Sequence, residues 1–280
     1  MNNTFNINRF GKILKHDGLN YFPNLGLTLA IIWAIPVVVY LFTSLMPGDE
    51  TQFFSPFSRI DLISTLSSIV IIIAPARLYR YCNDSRKGIG YAMLPASTLE
   101  KFLSMAIYCI IVTPIIYVAG ALAIDSILAL FHGPYEGFAI SYYFDTFAKL
   151  NAVLERDNIM FDGQWQLFFN RFSPTFMMIL SLLGSLTISS IFMFGNMIFK
   201  KRKTGKMIGI LILLSIIFMI IVINYVAHYE TMFSHWDRDT ATEIIERLIY
   251  ISINVTFYLE IIVSALLLWG VYRKIKTQKY

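Results

Sequence analysis

One acidic residue, Glu260, stands near the middle of an apolar run that covers residues 248–272. In a helix it would lie about 18 Å from the start of the run, close to the midplane of a bilayer. An ionised carboxyl group at that depth costs roughly 2.5–3.5 kcal/mol, so we expect the side chain to face other helices or an aqueous cavity. Two uses are open: a coupling or substrate-contacting group, or a neutral carboxyl group hydrogen-bonded to residues such as Asn254, Thr256, Tyr258 or Ser264.

Motifs for hydrolytic and metal chemistry are missing from the sequence. Gly11-Lys12 and Gly205-Lys206 lack both the upstream glycine and the following hydroxyl residue of a phosphate-binding loop. No His-Glu-x-x-His, Gly-x-Ser-x-Gly or Cys/His ligand spacing occurs, and Cys82 and Cys109 imply neither a disulfide framework nor a metal site. We therefore expect no catalytic residues, no metal and no cofactor, and we do not predict an enzyme.

The segment 88–102 lies between two apolar runs and contains two glycines and a proline. Its sequence is GIGYAMLPASTLEKF. Ser97 and Glu100 have the spacing of a capping box, in which the serine hydroxyl accepts from the Glu100 amide and the carboxylate reaches back to the Ser97 amide. Pro95 disfavours helical geometry at Leu94. The pattern predicts a helix that is capped by Ser97 and continues into the next apolar run.

The elements around these residues are apolar helices. The chain has 280 residues, of which 56% are hydrophobic and only 15% charged, and its mean hydropathy is +0.61. Spanning a bilayer takes about 20 residues of helix. Six runs are apolar enough to do so, although the second is short and has charged residues at both ends: 25–46, 62–76, 102–124, 172–199, 207–229 and 248–272. Since no alternation typical of a barrel is visible, we predict an all-α, polytopic membrane bundle of six helices.

The distribution of basic residues predicts the orientation of this bundle. If both termini are cytoplasmic, most of the 23 lysines and arginines fall in cytoplasmic segments, which is the bias that membrane proteins show. We therefore expect both termini inside. The net charge of +5 then reflects topology and contact with anionic lipid, and it gives no support for nucleic-acid binding.

We expect a single transmembrane domain, 1–280, with three features outside the hydrocarbon. Residues 1–22 have the uneven amphipathic pattern of a cytoplasmic interfacial helix, 78–101 form the first large inner loop, and 131–171 form an aromatic outer loop with short helices. Two residues of the third run complete the prediction. Gly120 is expected to let helices approach closely, and Asp125 is interpreted as an interfacial residue.

A basic loop followed by Met93-Leu-Pro-Ala-Ser-Thr-Leu-Glu-Lys101 resembles the Leu-Pro-[Val/Ala/Ile]-Ser signature of permease subunits of bacterial type-2 ABC exporters. Six spans, cytoplasmic termini and the missing phosphate-binding loop agree with this resemblance. It implies that 78–101 is a coupling loop that docks on a separate ATP-binding subunit. The implied docking residues are Arg80, Arg86, Lys87, Leu94, Pro95, Ser97 and Glu100. It also implies a bacterial cell (inner) membrane location and a second permease copy or homologue as partner.

The principal functional hypothesis is therefore a permease subunit that supplies the membrane path of an ATP-driven exporter. Two alternatives stay open. One is a proton-coupled secondary transporter that uses Glu260, and the other is a non-transporting membrane anchor or assembly protein, for which the aromatic outer loop would provide a contact surface.

Overall fold

The structure is a computed structural model that describes residues 5–45, 55–83, 88–131, 137–142, 144–145, 174–199, 203–233 and 238–277. These residues form helices and contain no strand. The helices are α1 (Ile7–Leu19), α2 (Leu27–Ser44), α3 (Pro56–Leu78), α4 (Gly88–Ala92), α5 (Thr98–Ala106), α6 (Thr113–Leu130), α7 (Pro174–Ile198), α8 (Lys203–Phe233) and α9 (Arg238–Thr277).

Six helical stretches of the described chain are long and apolar enough to cross a membrane, as predicted. They are Ile7–Ser44, Pro56–Leu78, Thr98–Leu130, Met178–Ile198, Lys203–Asn224 and Ile251–Thr277. The all-α, multi-pass bundle is therefore confirmed. The cytoplasmic placement of the two termini stays a prediction.

Helix bounds differ from the apolar runs where local capping extends a helix. The second span begins at Pro56, because the Ser55 hydroxyl accepts from the Ser58 amide and proline suits the first helical turn. The predicted amino-terminal helix is present as α1, and the π-helical turn Phe22–Gly26 joins it to α2 without a break. A second π-helical stretch, Ile107–Val112, joins α5 to α6 just before Pro114.

Only part of the predicted outer loop is described. Residues 139–142 and 144–145 are helical, and the rest of the expected short helices lies outside the described residues. Gly137 precedes this segment with a φ of 68°, a conformation that glycine adopts without strain.

Helix α7 lies at the centre of the bundle, between α3 and α9, and α3 also packs on α6. The main core cluster combines Tyr21 and Leu25 with Tyr79, Met105 and Met197, and it extends along the bundle to Ile63 and Ala121. Helix α8 is peripheral, and its residues 212–224 are exposed on every side. In a bilayer such a surface faces lipid.

Candidate functional site

The capping box at the start of the third span is formed as predicted. Ser97 has extended backbone geometry, its hydroxyl accepts from the Glu100 amide at 3.3 Å, and its own amide donates to Glu100 Oε2 at 2.8 Å. Helix α5 therefore begins at Thr98, so the last four residues of the segment 78–101 are helical.

The Glu100 carboxylate also bonds to the amino-terminal segment, a contact that the sequence did not predict. Its Oε1 accepts from the backbone amide of Asn6 at 2.8 Å and from Arg9 Nη2 at 3.1 Å. Asn6 is the N-cap of α1, where its side chain accepts from the amides of Asn8 and Arg9. One fully buried carboxylate thus satisfies amides at the amino ends of two helices, where the helix dipoles favour negative charge. We call Asn6, Arg9, Ser97 and Glu100 the clasp.

A buried aspartate fixes the other end of α1. Asp17 Oδ2 accepts from Ser104 Oγ on α5 at 2.6 Å and from the Tyr79 hydroxyl at 3.0 Å, while Oδ1 lies 3.2 Å from His16 Nδ1. The neighbouring Gly18 leaves room for Tyr108, whose hydroxyl oxygen lies 2.6 Å from the position that a Cβ would take. The amino-terminal helix is therefore bonded to the third span along most of its length.

The loop residues implied by the resemblance divide into buried and exposed groups. Ser97 and Glu100 are buried in the clasp, and Leu94 is half-buried against the core. Arg80 and Pro95 have exposed side chains, as has Met93. Arg86 and Lys87 lie outside the described residues. The structure thus unites Ser97 and Glu100 in one bonded cluster and leaves Arg80 and Pro95 free to contact another molecule.

Three tyrosine rings pack against one another in and beside the loop 78–101. Tyr81 and Tyr91 stack edge to face at 5.5 Å between centroids, and Tyr79 lies 6.3 and 6.4 Å from them. Burial raises the pKa of the Tyr79 hydroxyl and of the Cys82 thiol well above their usual values, so both groups stay neutral. Lys101 is buried, with its Nζ 5.5 Å from the centroid of the Tyr91 ring.

The same end of the bundle is tied to the fourth span. Asn196 on α7 is buried, and its Nδ2 donates to the carbonyl oxygens of Pro75 at 3.0 Å and Tyr79 at 3.2 Å. These carbonyls belong to the last turn of α3 and to its C-cap, and each also accepts from a backbone amide, Pro75 from Tyr79 and Tyr79 from Cys82, both at 3.2 Å. Lys203 Nζ donates to the Arg80 carbonyl at 3.0 Å. Movement of the loop would therefore reach α3 and α7 as well as α5.

Glu260 lies where α9 packs on α7. Its Oε1 is 3.6 Å from the position of a Cβ at Gly184, and its Oε2 is buried without a hydrogen-bond partner in the described part of the chain. Ser264, one of the partner types expected for it, instead pairs with Thr187 at 2.8 Å, and Thr256 donates to the Ser252 carbonyl. Within the described ranges, no cluster of His, Cys, Asp or Glu could hold a metal ion.

Near the opposite end of the third span, Asp125, which the sequence indicates as an interfacial residue, is buried. Its Oδ1 lies 3.2 Å from Arg59 Nη1 on α3, and its Oδ2 accepts from the Ala139 amide at 3.2 Å. Arg59 Nη2 donates to the Gly137 carbonyl at 2.7 Å. The ion pair therefore joins α3 and α6 to the segment 137–145.

No protein-family model matches the sequence, and no significant match to it is found among curated proteins or among solved structures. Function must therefore be argued from the residues themselves.

Proposed function

We propose that this chain is the membrane-spanning permease subunit of an ATP-driven exporter of the type-2 ABC kind. In this proposal a separate ATP-binding subunit docks on the loop 78–101, and a second permease copy or homologue completes the path in a bacterial inner membrane. The sequence has no phosphate-binding loop, so in this proposal the partner subunit hydrolyses the ATP.

The clasp is the observation that carries this proposal. A partner that moves the loop must move the third span, because Ser97 and Glu100 bond the end of the loop to the first turn of α5. It must also move α1, because Glu100 holds Asn6 and Arg9. A partner can shift a conformational equilibrium only if it binds the two conformations with different affinity. The clasp would connect such a partner, bound on the loop 78–101, to helices α1 and α5.

The test is a purification in detergent from cells that also express the neighbouring coding sequences. We expect an ATPase with a phosphate-binding loop to copurify, and its activity to fall when residues 95–100 are scrambled. Ser97→Ala is the finer variant. Ser55→Ala is its matched control, because it removes an equivalent N-cap from α3 at the other end of the bundle. Unchanged assembly and ATPase activity in the scrambled protein would overturn the proposal.

A second candidate function is a proton-coupled transporter, favoured by the buried, unpartnered Oε2 of Glu260. It predicts that Glu260→Gln abolishes pH-dependent transport in vesicles while the protein still assembles. Ser264→Ala is a control that perturbs the same contact between α7 and α9 without removing the carboxyl group. Transport that keeps its pH dependence in Glu260→Gln excludes this role.

A further inference from the structure

A crevice lies between three spans of the bundle. Helices α3, α6 and α7 border a cavity of about 620 Å³, within the range of small-molecule sites. Ile140 and Phe144 border it at one end, and their segment is held there by the bonds from Asp125 to Ala139 and from Arg59 to Gly137. The crevice is therefore bordered at one end by a segment that these hydrogen bonds hold in place.

The lining of the crevice is uncharged throughout its described residues. Isoleucines and five serines form much of it, and three of the five serine hydroxyls are bonded to their own helices. Ser68, Ser181 and Ser185 donate to carbonyl oxygens of their own helices at 3.3, 2.8 and 2.8 Å. A ligand in the crevice thus meets mainly apolar side chains and no charged group, together with serine hydroxyls of which three are already bonded, and this lining suits a hydrocarbon better than an ion.

The depth of the crevice in the bilayer determines which hydrocarbon can enter it. Its α3 and α7 walls, 60–71 and 181–188, belong to helices that are long and apolar enough to span a bilayer. The surrounding solvent at that depth is the acyl chains of lipids. From this lining, depth and cover, we infer that the crevice between α3, α6 and α7 binds one acyl chain of a bilayer phospholipid.

A helix of a second copy is the rival occupant, and the size of the crevice disfavours it. A helix with its side chains is 10–12 Å across, so 620 Å³ holds only about one to one and a half turns. A narrow, flexible alkyl chain can follow the crevice between the serines and isoleucines. The inference does not depend on an ATPase partner, so it stands or falls apart from the proposed function.

The test is photo-crosslinking of the full chain in phosphatidylcholine–phosphatidylglycerol vesicles that contain a phosphatidylcholine with a diazirine in mid-chain. We expect a several-fold excess of adducts on 60–71 and 181–188 over 212–221, the exposed lipid-facing surface of α8. Ser185→Phe should fill the crevice and remove that excess. Ser215→Phe is the matched control, because Ser215 makes the same kind of bond to its own helix but is exposed on α8.

A second measurement tests the inference without relying on the folding of Ser185→Phe. Ser185→Cys changes one atom, and in an acyl-filled crevice the thiol should resist a charged maleimide, because a thiol surrounded by acyl chains stays protonated and the charged reagent does not enter the hydrocarbon. Reaction with the charged reagent would mean a water-filled crevice and would overturn the inference. Adducts on the crevice walls no more frequent than on 212–221 would overturn it as well, since they would mean ordinary lipid contact only.

Discussion

Glu100 and Asp125 lie towards opposite ends of the third span, and each holds a distant segment of the chain in place. Buried carboxylates are costly unless their oxygens are bonded. Here Glu100 accepts from two backbone amides and an arginine, and Asp125 accepts from one amide and an arginine. Such groups contribute little net stability when complete, but the loss of one partner leaves the others buried and unpaired.

Glu100→Gln tests the clasp at the level of one atom. The glutamine keeps the size of the side chain, but its amide nitrogen must face an N–H donor at either Ser97 or Asn6 and Arg9. We expect a loss of about 2–4 kcal/mol in the free energy of unfolding, measured by thermal or denaturant unfolding in detergent. Asp61→Asn, at an exposed position on α3, is the control and should change little. A wild-type melting temperature for Glu100→Gln would contradict the clasp.

The ion pair between Arg59 and Asp125 calls for a double-mutant comparison. Arg59→Met leaves a buried carboxylate without its cation, so we expect destabilisation of about 3–5 kcal/mol. The double variant Arg59→Met, Asp125→Leu removes both charges and should recover most of that loss. Unfolding of all variants in the same detergent gives the comparison, and equal stability of the single variant and wild type would argue against a buried pair.

These residues also show which parts of the site the sequence could reveal. The capping box was predictable, because Ser97 and Glu100 are three residues apart and act within one helical turn. The contacts from Glu100 to Asn6 and Arg9 were not, because they join residues more than ninety positions apart and leave no local pattern. The pairing of Asp125 with Arg59 was not predictable for the same reason, since Arg59 is on another helix.

At the scale of elements, hydropathy predicted the six spans, because burial in hydrocarbon imposes a length and a composition on each helix. The bounds were less predictable. Ser55 and Pro56 extend α3 beyond its apolar run, and the π-helical turns before α2 and α6 follow from backbone bonding that hydropathy does not record. The close approach expected at Gly120 is present, and the residue that fills the space is Trp33 on α2.

Gly120→Ala tests that approach between α2 and α6. A methyl group there would meet the Trp33 indole, whose Nε1 donates to the Tyr117 carbonyl at 3.1 Å. We expect destabilisation of about 1–3 kcal/mol and a shift in tryptophan fluorescence as the ring moves. Gly209→Ala on α8 is the matched control. It has open space around it and should be neutral or stabilising by up to about 1 kcal/mol, as alanine is the better helix former. The same small effect at both positions would contradict close packing at Gly120.

The two ends of the whole molecule are built differently. At the end with the loop 78–101, bonds from Glu100, Asp17 and Asn196 join α1, α3, α5 and α7 into one unit. Toward the other end, α3, α6 and α7 separate around the crevice, and the Arg59–Asp125 pair holds a cover over it. A partner that docks on the loop 78–101, as proposed, would therefore act on the bonded end of the bundle and not on the end with the crevice.

The orientation of the whole molecule decides whether the bonded end faces an ATP-binding partner. If both termini are cytoplasmic, Lys276→Cys should react with a membrane-impermeant maleimide only after cells are permeabilised, whereas Ser141→Cys should react in intact cells. Both side chains are exposed, so each thiol can reach the reagent. The parent protein is the background control, because Cys82 and Cys109 are buried and burial raises the pKa of the Cys82 thiol. The reverse labelling pattern would place the loop 78–101 outside the cell, away from ATP, and would exclude the exporter proposal.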